Sequence, residues 1–237
     1  MYVYGKNVIK ELLANKSKIN KVILSSNMEN TDIEKDLKKI NVEIKYLKSN
    51  EMDRIVSANH QGVIADIDDY EYLSEKQMLD NLNENPFIVI LDHLEDTHNF
   101  GAIIRTCEAA GVDFLIIPKN RSVSVNGVVM KTSVGAALNV RIVEVTNLNN
   151  IIEKLKKKGI WIVGTDMEDS KDYDEIDYKI PIALVIGSEG FGISRLVREN
   201  CDFIAKIPMY GKINSLNASV AAGIMIYEVV RQRRVIR

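Results

Sequence analysis

The most informative stretch of this chain lies near its carboxyl end and reads IPMYGKINSLNASVAAGIMIYE (207–228). Its first half places a glycine, two amides and a hydroxyl in a short loop, which is too polar to be plain core. An apolar helix is predicted to follow at once, over residues 216–233. Because the backbone amides in the first turn of a helix lack partners within the helix, such a loop can bind a ligand.

Two earlier segments have the same design, in which small polar residues lead from a strand end into a helix. They read LDHLEDTHNFGAIIRT (91–106) and IALVIGSEGFGIS (182–194). In open α/β sheets, ligands bind beyond the carboxyl ends of the strands. Three such loops in one α/β chain predict a single composite site.

The first of these loops offers two polar side chains at its helix. Asn99 can cap the helix, and Arg105 lies one turn further on, off the apolar stripe. A surface arginine paired with Glu108 or another acid is the alternative interpretation of Arg105. His93 and His98 have no obvious catalytic partner in the sequence, which favours ordinary loop histidines.

The glycines of the second loop exclude a common cofactor motif. Gly187, Gly190 and Gly192 are spaced G-x-x-G-x-G, which differs from the G-x-G-x-x-G of dinucleotide-binding folds. Glu189 inside the turn would repel a pyrophosphate, so a cationic or neutral ligand suits it better, although a tight turn without a ligand is the alternative. In the third loop, Ser215 can be a helix cap, and the G-x-S-x-G of hydrolase nucleophiles is absent.

Strands and helices alternate along the chain, which favours parallel sheets. We predict a small domain over residues 1–70, an acidic linker over 71–85 and a larger domain over 86–237. Strands are predicted at 21–25, 43–47, 62–67, 87–91, 114–117, 141–145, 160–164, 182–186 and 203–207. Helices are predicted at 6–14, 32–40, 50–57, 75–82, 100–110, 125–134, 148–157, 193–200 and 216–233.

Composition bounds the class of protein. The chain has 237 residues, is 46% hydrophobic and contains no apolar run near the ~18 residues that a membrane helix needs. The charged start fits no signal peptide, and Cys107 and Cys201 show no metal-ligand spacing, so a reduced cytoplasmic protein is expected. The net charge of −2 argues mildly against a nucleic-acid binder, but eight lysines among the first 40 residues can form a basic patch.

The three loops together resemble the SpoU/TrmH family of RNA ribose 2′-O-methyltransferases, which belongs to the SPOUT class. The matching segments are NFGAIIRT (99–106), IGSEGFG (186–192) and IPMYGKINSLNASVA (207–221). The leading part, with YGKNVIKELL (4–13) and HQGV (60–63), is similar to a substrate-binding domain that precedes the enzyme in one branch of the family. The resemblance therefore covers nearly the whole chain.

This resemblance implies a fold that the residue pattern alone does not give. A small α/β substrate-binding domain would precede a SPOUT α/β domain whose carboxyl-terminal segment forms a trefoil knot. The knot would hold S-adenosylmethionine in a bent shape, and two copies would form a homodimer with the site at the interface. No metal is implied, because the methyl donor is already activated. No membrane partner is expected.

The resemblance also implies roles for individual residues. Arg105 would activate the ribose 2′-hydroxyl or bind the adjacent phosphate, and an arginine base is chemically awkward because its reference pKa is above about 12. Asn99 would orient Arg105 or the RNA, and Glu189 would hold Arg105 or favour the sulfonium charge. Ser215 and Asn217 would contact the substrate or the methionine part. Contacts to the cofactor are expected from Gly187, Ser188, Gly190, Ile207, Met209 and Leu216.

The expected substrate is a guanosine of 23S ribosomal RNA, and tRNA is the nearest alternative. Two other classes of function stay open at this point. The chain could be an RNA-binding protein without catalysis, although retention of all the motif residues argues against it. It could also be an oxidoreductase with a nucleotide cofactor, against which the glycine spacing argues.

Overall fold

A computed structural model describes residues 1–167, 170–188 and 190–234. The predicted site residue Glu189 lies outside these ranges. The chain divides into two compact units. The first comprises Met1–Glu71 and Ser124–Asn139, and the second comprises Tyr72–Val123 and Val140–Arg237 as far as the latter is described.

The helices and strands of the described residues alternate along most of the chain. The strands are β1 (Tyr2–Tyr4), β2 (Ile19–Ser25), β3 (Glu43–Leu47), β4 (Val63–Ile67), β5 (Phe87–Asp92), β6 (Phe114–Pro118), β7 (Ile142–Val145), β8 (Trp161–Thr165), β9 (Lys171–Asp172), β10 (Ile182–Gly187) and β11 (Phe203–Lys206). The α-helices are α1 (Lys6–Ala14), α2 (Asp32–Lys39), α3 (Ser49–Met52), α4 (Glu75–Asp80), α5 (Thr97–Ala110), α6 (Gly127–Thr132), α7 (Leu148–Lys157), α8 (Arg195–Glu199) and α9 (Ala218–Arg234).

The first unit is built on a four-stranded sheet in the order β1-β4-β2-β3. Strand β4 pairs antiparallel with β1 and β2, and only β2 and β3 are parallel, so the expectation of parallel sheets is wrong here. The sequence analysis missed β1 because three residues are too few to show a period of two. The two leading motifs meet in this unit, since the Lys6 amide donates to Gln61 Oε1 over 3.0 Å.

The segment 124–139 belongs to the first unit, whereas the sequence analysis includes it in a continuous larger domain over 86–237. Helix α6 packs closely on β1, because Gly127 carries no side chain. A Cβ atom at Gly127 would lie 2.4 Å from the Tyr2 carbonyl oxygen, so glycine is required at this contact. A contact between residues so far apart in the chain leaves no periodic signal in the sequence.

The second unit contains a seven-stranded sheet in the order β7-β6-β5-β10-β8-β11-β9, and every pairing in it is parallel. Strands β5 and β6 are buried at every position, as expected for a parallel sheet covered on both faces. The chain reverses its direction of winding between β5 and β10. This is the place in an open α/β sheet where ligands bind, beyond the carboxyl ends of the strands.

The acidic segment predicted as a linker packs into the second unit. Leu73 pairs with Val143 beside β7, and the Met78 side chain of α4 is fully buried in the main hydrophobic core. The Leu73 amide donates to the Ile142 carbonyl over 2.9 Å. The apolar residues of this segment therefore anchor it on the sheet, even though its overall composition is polar.

Five helix starts differ from the sequence prediction, those of α3, α5, α6, α8 and α9, and for α5 and α9 the predicted cap differs as well. Helix α5 begins at Thr97, and the carboxylate of Asp96 rather than Asn99 caps it, accepting from the Asn99 amide over 2.7 Å. Helix α9 begins at Ala218 rather than at residue 216, and Asn217 rather than Ser215 caps it. In the described part of the chain, no helix is both long and apolar enough to cross a membrane. The trefoil knot stays a prediction.

Candidate active site

A pocket of about 230 Å³ lies at the carboxyl ends of β8, β10 and β11 in the second unit. Its floor comes from the strand ends, and its walls come from the segment that links β11 to α9. The lining residues are Thr165, Asp166, Met167, Ile186, Gly187, Ser188, Gly192, Ala205, Lys206, Ile207, Met209, Asn214, Ser215, Leu216, Ala218 and Ala221.

A tight turn forms one wall of this pocket, and its geometry requires Gly187. The backbone of Ser188 pairs with that of Gly192 in both directions, over 3.1 and 2.9 Å. A Cβ atom at Gly187 would lie 2.1 Å from the Gly192 carbonyl carbon, which no real side chain tolerates. Gly192 has a φ of +62°, a conformation that glycine adopts without strain.

Most of the residues predicted to contact a cofactor line this one pocket. They are Gly187, Ser188, Ile207, Met209 and Leu216, and they come from two segments that are far apart in the chain. Gly190 does not line it, because its position in the turn faces a second pocket. The pocket thus brings the second and third loops together, while the cofactor contacts themselves stay a prediction.

The first and third loops meet through a pair of asparagines. The Nδ2 atom of Asn217 donates to Oδ1 of Asn99 over 3.0 Å. Asn217 also caps α9, since its Oδ1 accepts from the Ser219 amide over 3.0 Å and from the Ser219 hydroxyl over 2.6 Å. Asn99 is buried in the first turn of α5, so one side-chain bond fixes two helix starts relative to each other.

Ser215 and Arg105, two other predicted catalytic residues, lie in different places relative to the pocket. Ser215 is exposed at the rim of the 230 Å³ pocket. Arg105 lies on the exposed face of α5 and lines neither this pocket nor the second one. Within the described residues, the Arg105 guanidinium makes no ion pair, so the alternative of pairing with Glu108 is not seen. The role of Glu189 stays a prediction about a residue outside the described ranges.

Sequence analysis missed the contribution of the segment after β8. Asp166 lines the pocket and its carboxylate accepts from Arg198 Nε over 3.2 Å, while the Thr165 hydroxyl donates to the Val185 carbonyl over 3.0 Å. Residues 160–164 were predicted as a strand, and the polar pair Thr165 and Asp166 directly after it could have indicated a further loop of the site. This pair has no glycine, which made it less conspicuous than the other loops.

Another buried carboxylate joins the ends of two strands. Asp92, at the end of β5, is 1% exposed and accepts from the Ser194 amide over 2.6 Å, and it contacts the His93 ring. This bond ties the turn after β10 to the loop after β5. His93 has a φ of +57°, which turns the chain sharply into that loop.

A second pocket, of about 570 Å³, lies on the other side of the same turn. It shares Ser188 and Gly192 with the first pocket, so a wall only one turn thick separates the two. The lining residues are His93, Leu94, Glu95, Asp96, Arg121, Ser188, Gly190, Phe191, Gly192 and Ser194.

The two cysteines are not candidates for nucleophiles. Burial raises the pKa of the Cys201 thiol to about 12 and raises the pKa of the Cys107 thiol further still. A thiol rather than a thiolate is therefore present at neutral pH, and the thiolate is the reactive form. The candidate catalytic groups therefore come from the polar loops rather than from the cysteines.

Two known families match the chain along most of its length. Residues 86–227 match the SpoU rRNA Methylase family, and residues 2–73 match the family described as RNA 2′-O ribose methyltransferase substrate binding. The chain belongs to the SpoU rRNA methylase family. As a SpoU protein it is an RNA methyltransferase, and the resemblance seen in its motifs is confirmed.

Curated relatives of this SpoU protein match it from end to end. YacO of Bacillus subtilis, provisionally named a TrmH family tRNA/rRNA methyltransferase, is 43% identical over 98% of this chain and 96% of its own length. A Staphylococcus saprophyticus protein with the same provisional family name is 44% identical over 99% of this chain and 96% of its own length.

Solved structures share the fold of this SpoU protein. The SpoU methyltransferase AviRb from Streptomyces viridochromogenes, in complex with AdoMet, has a TM-score of 0.83 at 24% identity, covering 99% of this chain and 91% of AviRb. The TrmH/SpoU tRNA modifying enzyme of A. aeolicus has a TM-score of 0.60 at 33% identity, covering 68% of this chain and 82% of its own length. The predicted class, a small α/β domain followed by a SPOUT-type α/β domain, is confirmed.

Proposed function

We propose that this SpoU protein transfers a methyl group from S-adenosylmethionine to a ribose 2′-oxygen of RNA, at a guanosine of 23S ribosomal RNA. The observation that carries the proposal is the convergence of the three loops. The second and third loops line one pocket, and the Asn99–Asn217 bond brings the first loop to its edge. AviRb, which shares the fold, binds AdoMet.

The first pocket fits the chemistry of S-adenosylmethionine. Ile186, Met209 and Leu216 offer apolar surface for an adenine ring, and the extended segment around Ile207 offers backbone amides and carbonyls for the edge of the ring. The Asp166 carboxylate can accept from ribose hydroxyls or attract a cationic group. S-adenosylmethionine, when bound, supplies a methyl group that is already activated as part of a sulfonium.

The residues of the chain must handle the proton and the charge of the attacking ribose hydroxyl. Arg105, an exposed cation, positions the adjacent phosphate and stabilises the negative charge that develops on the 2′-oxygen while its proton passes to solvent water. Its high reference pKa, above about 12, makes it a poor base at neutral pH. Asn99 and Asn217 hold the starts of α5 and α9 in register, so that Arg105 keeps a fixed position along α5.

A homodimer would complete this arrangement. Arg105 lies outside the two pockets of its own chain, and α9 exposes the apolar side chains of Val220 (50%) and Tyr227 (46%) on its surface. These two residues lie seven positions apart, which places them on one face of the helix. A second copy packed on this face would bury them and bring an Arg105 side chain to a site formed with its partner.

The first unit selects the RNA. Its sequence matches a substrate-binding family, and its lysines, including Lys10 and Lys16 on or after α1, can contact phosphates. Double-stranded RNA is recognised mainly by shape and by backbone contacts, which suits a separate docking unit. We place the protein in the cytoplasm, where ribosomal RNA is available.

Methylation of tRNA is the second candidate function. The names of the curated relatives include both tRNA and rRNA, and the A. aeolicus neighbour, at 33% identity, is named a tRNA modifying enzyme. That neighbour covers 68% of this chain, whereas the family that matches residues 86–227 is described as an rRNA methylase family, which supports the ribosomal substrate.

The deciding experiment incubates the purified protein with methyl-labelled S-adenosylmethionine and total bacterial RNA from cells that lack ribose methylases. The RNA is then separated by size and digested to nucleosides. Label in 2′-O-methylguanosine from 23S RNA is expected. Label in tRNA would replace the proposed substrate by the second candidate, and donor binding without any labelled RNA would contradict the enzymatic proposal.

A further inference from the structure

The second pocket is separate from the proposed donor pocket, yet the two share a wall. That wall is the backbone of Ser188 and Gly192. The volume of the second pocket, about 570 Å³, falls in the range of roughly 300–1,000 Å³ that is usual for small-ligand sites. A group bound there would lie next to whatever occupies the first pocket, which is the position that an acceptor of a methyl group needs.

An exposed aromatic ring stands at the mouth of this pocket. Phe191 is 95% exposed at the tip of the turn after β10, and it lines the second pocket but not the first. A phenyl ring held by a tight turn costs free energy in water unless a partner covers it. Nucleobases stack on such rings without a requirement for sequence, because every base has a flat face.

The charges in the pocket are arranged for a nucleotide. Arg121 is exposed on one side and, within the described residues, makes no ion pair, so it is available to a phosphate. Glu95 and Asp96 lie in the loop after β5, and Asp96 is already engaged as the cap of α5. Carboxylates repel a phosphate but accept from the N–H groups on the edge of a base.

We propose that the second pocket holds the nucleotide that is methylated, with its base stacked on Phe191 and its phosphate bound by Arg121. The ribose then lies at the edge of the turn that contains Ser188 and Gly192, where the two pockets adjoin and its 2′-oxygen can pass the turn to reach the donor pocket. This inference rests on the proposed function. It assigns Phe191 and Arg121 to substrate binding, in addition to the residues that the motifs indicate.

The test compares the full-length protein with two pairs of variants. Phe191→Ala is paired with Leu196→Ala, an exposed apolar residue of α8 that lines neither pocket, and Arg121→Gln is paired with Arg195→Gln, an exposed cation of α8. Three quantities are measured for each: methyl transfer to total ribosomal RNA, affinity for S-adenosylmethionine by calorimetry, and oligomeric state by sedimentation. Phe191→Trp tests rescue.

We expect Phe191→Ala and Arg121→Gln each to lower kcat/KM for RNA at least about fivefold, with donor affinity and oligomeric state unchanged. Phe191→Trp should restore most of the activity, and the α8 variants should match the wild type. Full RNA methylation by Phe191→Ala would overturn the inference while the proposed function stands. A change of oligomeric state in Phe191→Ala would assign the ring to a subunit interface instead, and a wild type inactive on every RNA would overturn the proposed function itself.

Discussion

The two ends of the parallel sheet in the second unit differ in how their polar groups are used. At the carboxyl ends of the strands, polar side chains such as Ser215 and Arg121 face solvent around two pockets. At the amino ends, one guanidinium fastens several chain segments together. Arg233 donates to oxygens of Asn85, Pro86, Tyr178 and Ile180 over 2.8 to 3.2 Å.

Helix α9 connects these two ends, because it begins beside the 230 Å³ pocket and ends among the carbonyls that precede β5 and β10. Its first residue, Ala218, lines the pocket, and Arg233 lies near its last turn. The amino end is further closed by Asp113, which accepts from the Phe87 amide over 2.7 Å. Stability and the proposed chemistry therefore depend on opposite ends of one helix, so a change at either end should affect only one of them.

The largest expected effect is on stability at the amino end. Arg233→Met removes a half-buried donor group and leaves four carbonyl oxygens and one amide oxygen without it, so we expect a loss of about 3 kcal/mol in the free energy of unfolding. Urea unfolding measures this loss. Arg234→Met, an exposed neighbour, is the control and should change stability by less than about 0.5 kcal/mol. Reduced donor affinity in a folded Arg233→Met protein would contradict the separation of the two ends.

The next effect is on donor binding at the carboxyl end. Gly187→Ala forces the turn after β10 to move, because the new methyl group would overlap the Gly192 backbone. We expect affinity for S-adenosylmethionine to fall at least about thirtyfold, near 2 kcal/mol, as measured by calorimetry. Gly211→Ala is the matched control, since a Cβ atom there meets no atom within 4 Å. Equal affinities for the two variants would show that the turn does not shape the donor pocket.

A smaller effect is expected on turnover alone. Arg105→Ala should lower kcat at least about tenfold, near 1.4 kcal/mol, because in the proposed mechanism the exposed guanidinium acts only on the RNA and the developing charge. Donor affinity and the unfolding midpoint should stay as in the wild type. Arg195→Ala, whose guanidinium lies 3.6 Å from Glu199, serves as the control. A turnover loss below tenfold would remove Arg105 from the reaction centre.

The smallest effect concerns the pH dependence of stability at the amino end. Hydrogen bonds from Arg231 hold the pKa of the buried Glu228 carboxyl below its ordinary value, and Gln232 links it to the Ile176 carbonyl. Because the pKa of Glu228 is lower in the folded state, its ionised carboxylate stabilises the fold at pH values above the pKa of the unfolded state, which is near 4.3. This stabilisation is lost as the pH falls through the pKa of the folded state.

Glu228→Gln should therefore cost about 1 kcal/mol at pH 7, with the difference from the wild type shrinking below about pH 4. Thermal unfolding across this pH range measures it, and Glu199→Gln, on a largely exposed carboxylate, is the control. A difference that stays constant from pH 7 to pH 3 would show that the ionised form of Glu228 does not stabilise the fold.

The local elements were predictable because they depend on short-range patterns. The apolar runs predicted the strands of the parallel sheet, and Gly111 ends α5 in the left-handed conformation expected of a carboxyl cap. The start of that helix was predicted less well, since Asp96 and Asn99 are both good caps and only the folded chain decides between them. Strands β1 and β9 are too short to produce a pattern of their own.

The sequence by itself determined the family and the three loops, because each loop is a continuous run whose small and polar residues are needed at a helix start. The folded chain was needed to show that Asn217 donates to Asn99, that Asp166 lines the 230 Å³ pocket and that Gly190 faces a second pocket. The physical reason is that these relations depend on strand order. Strands that are distant in the chain become neighbours in the sheet, and the order in which they pair leaves no mark on local composition.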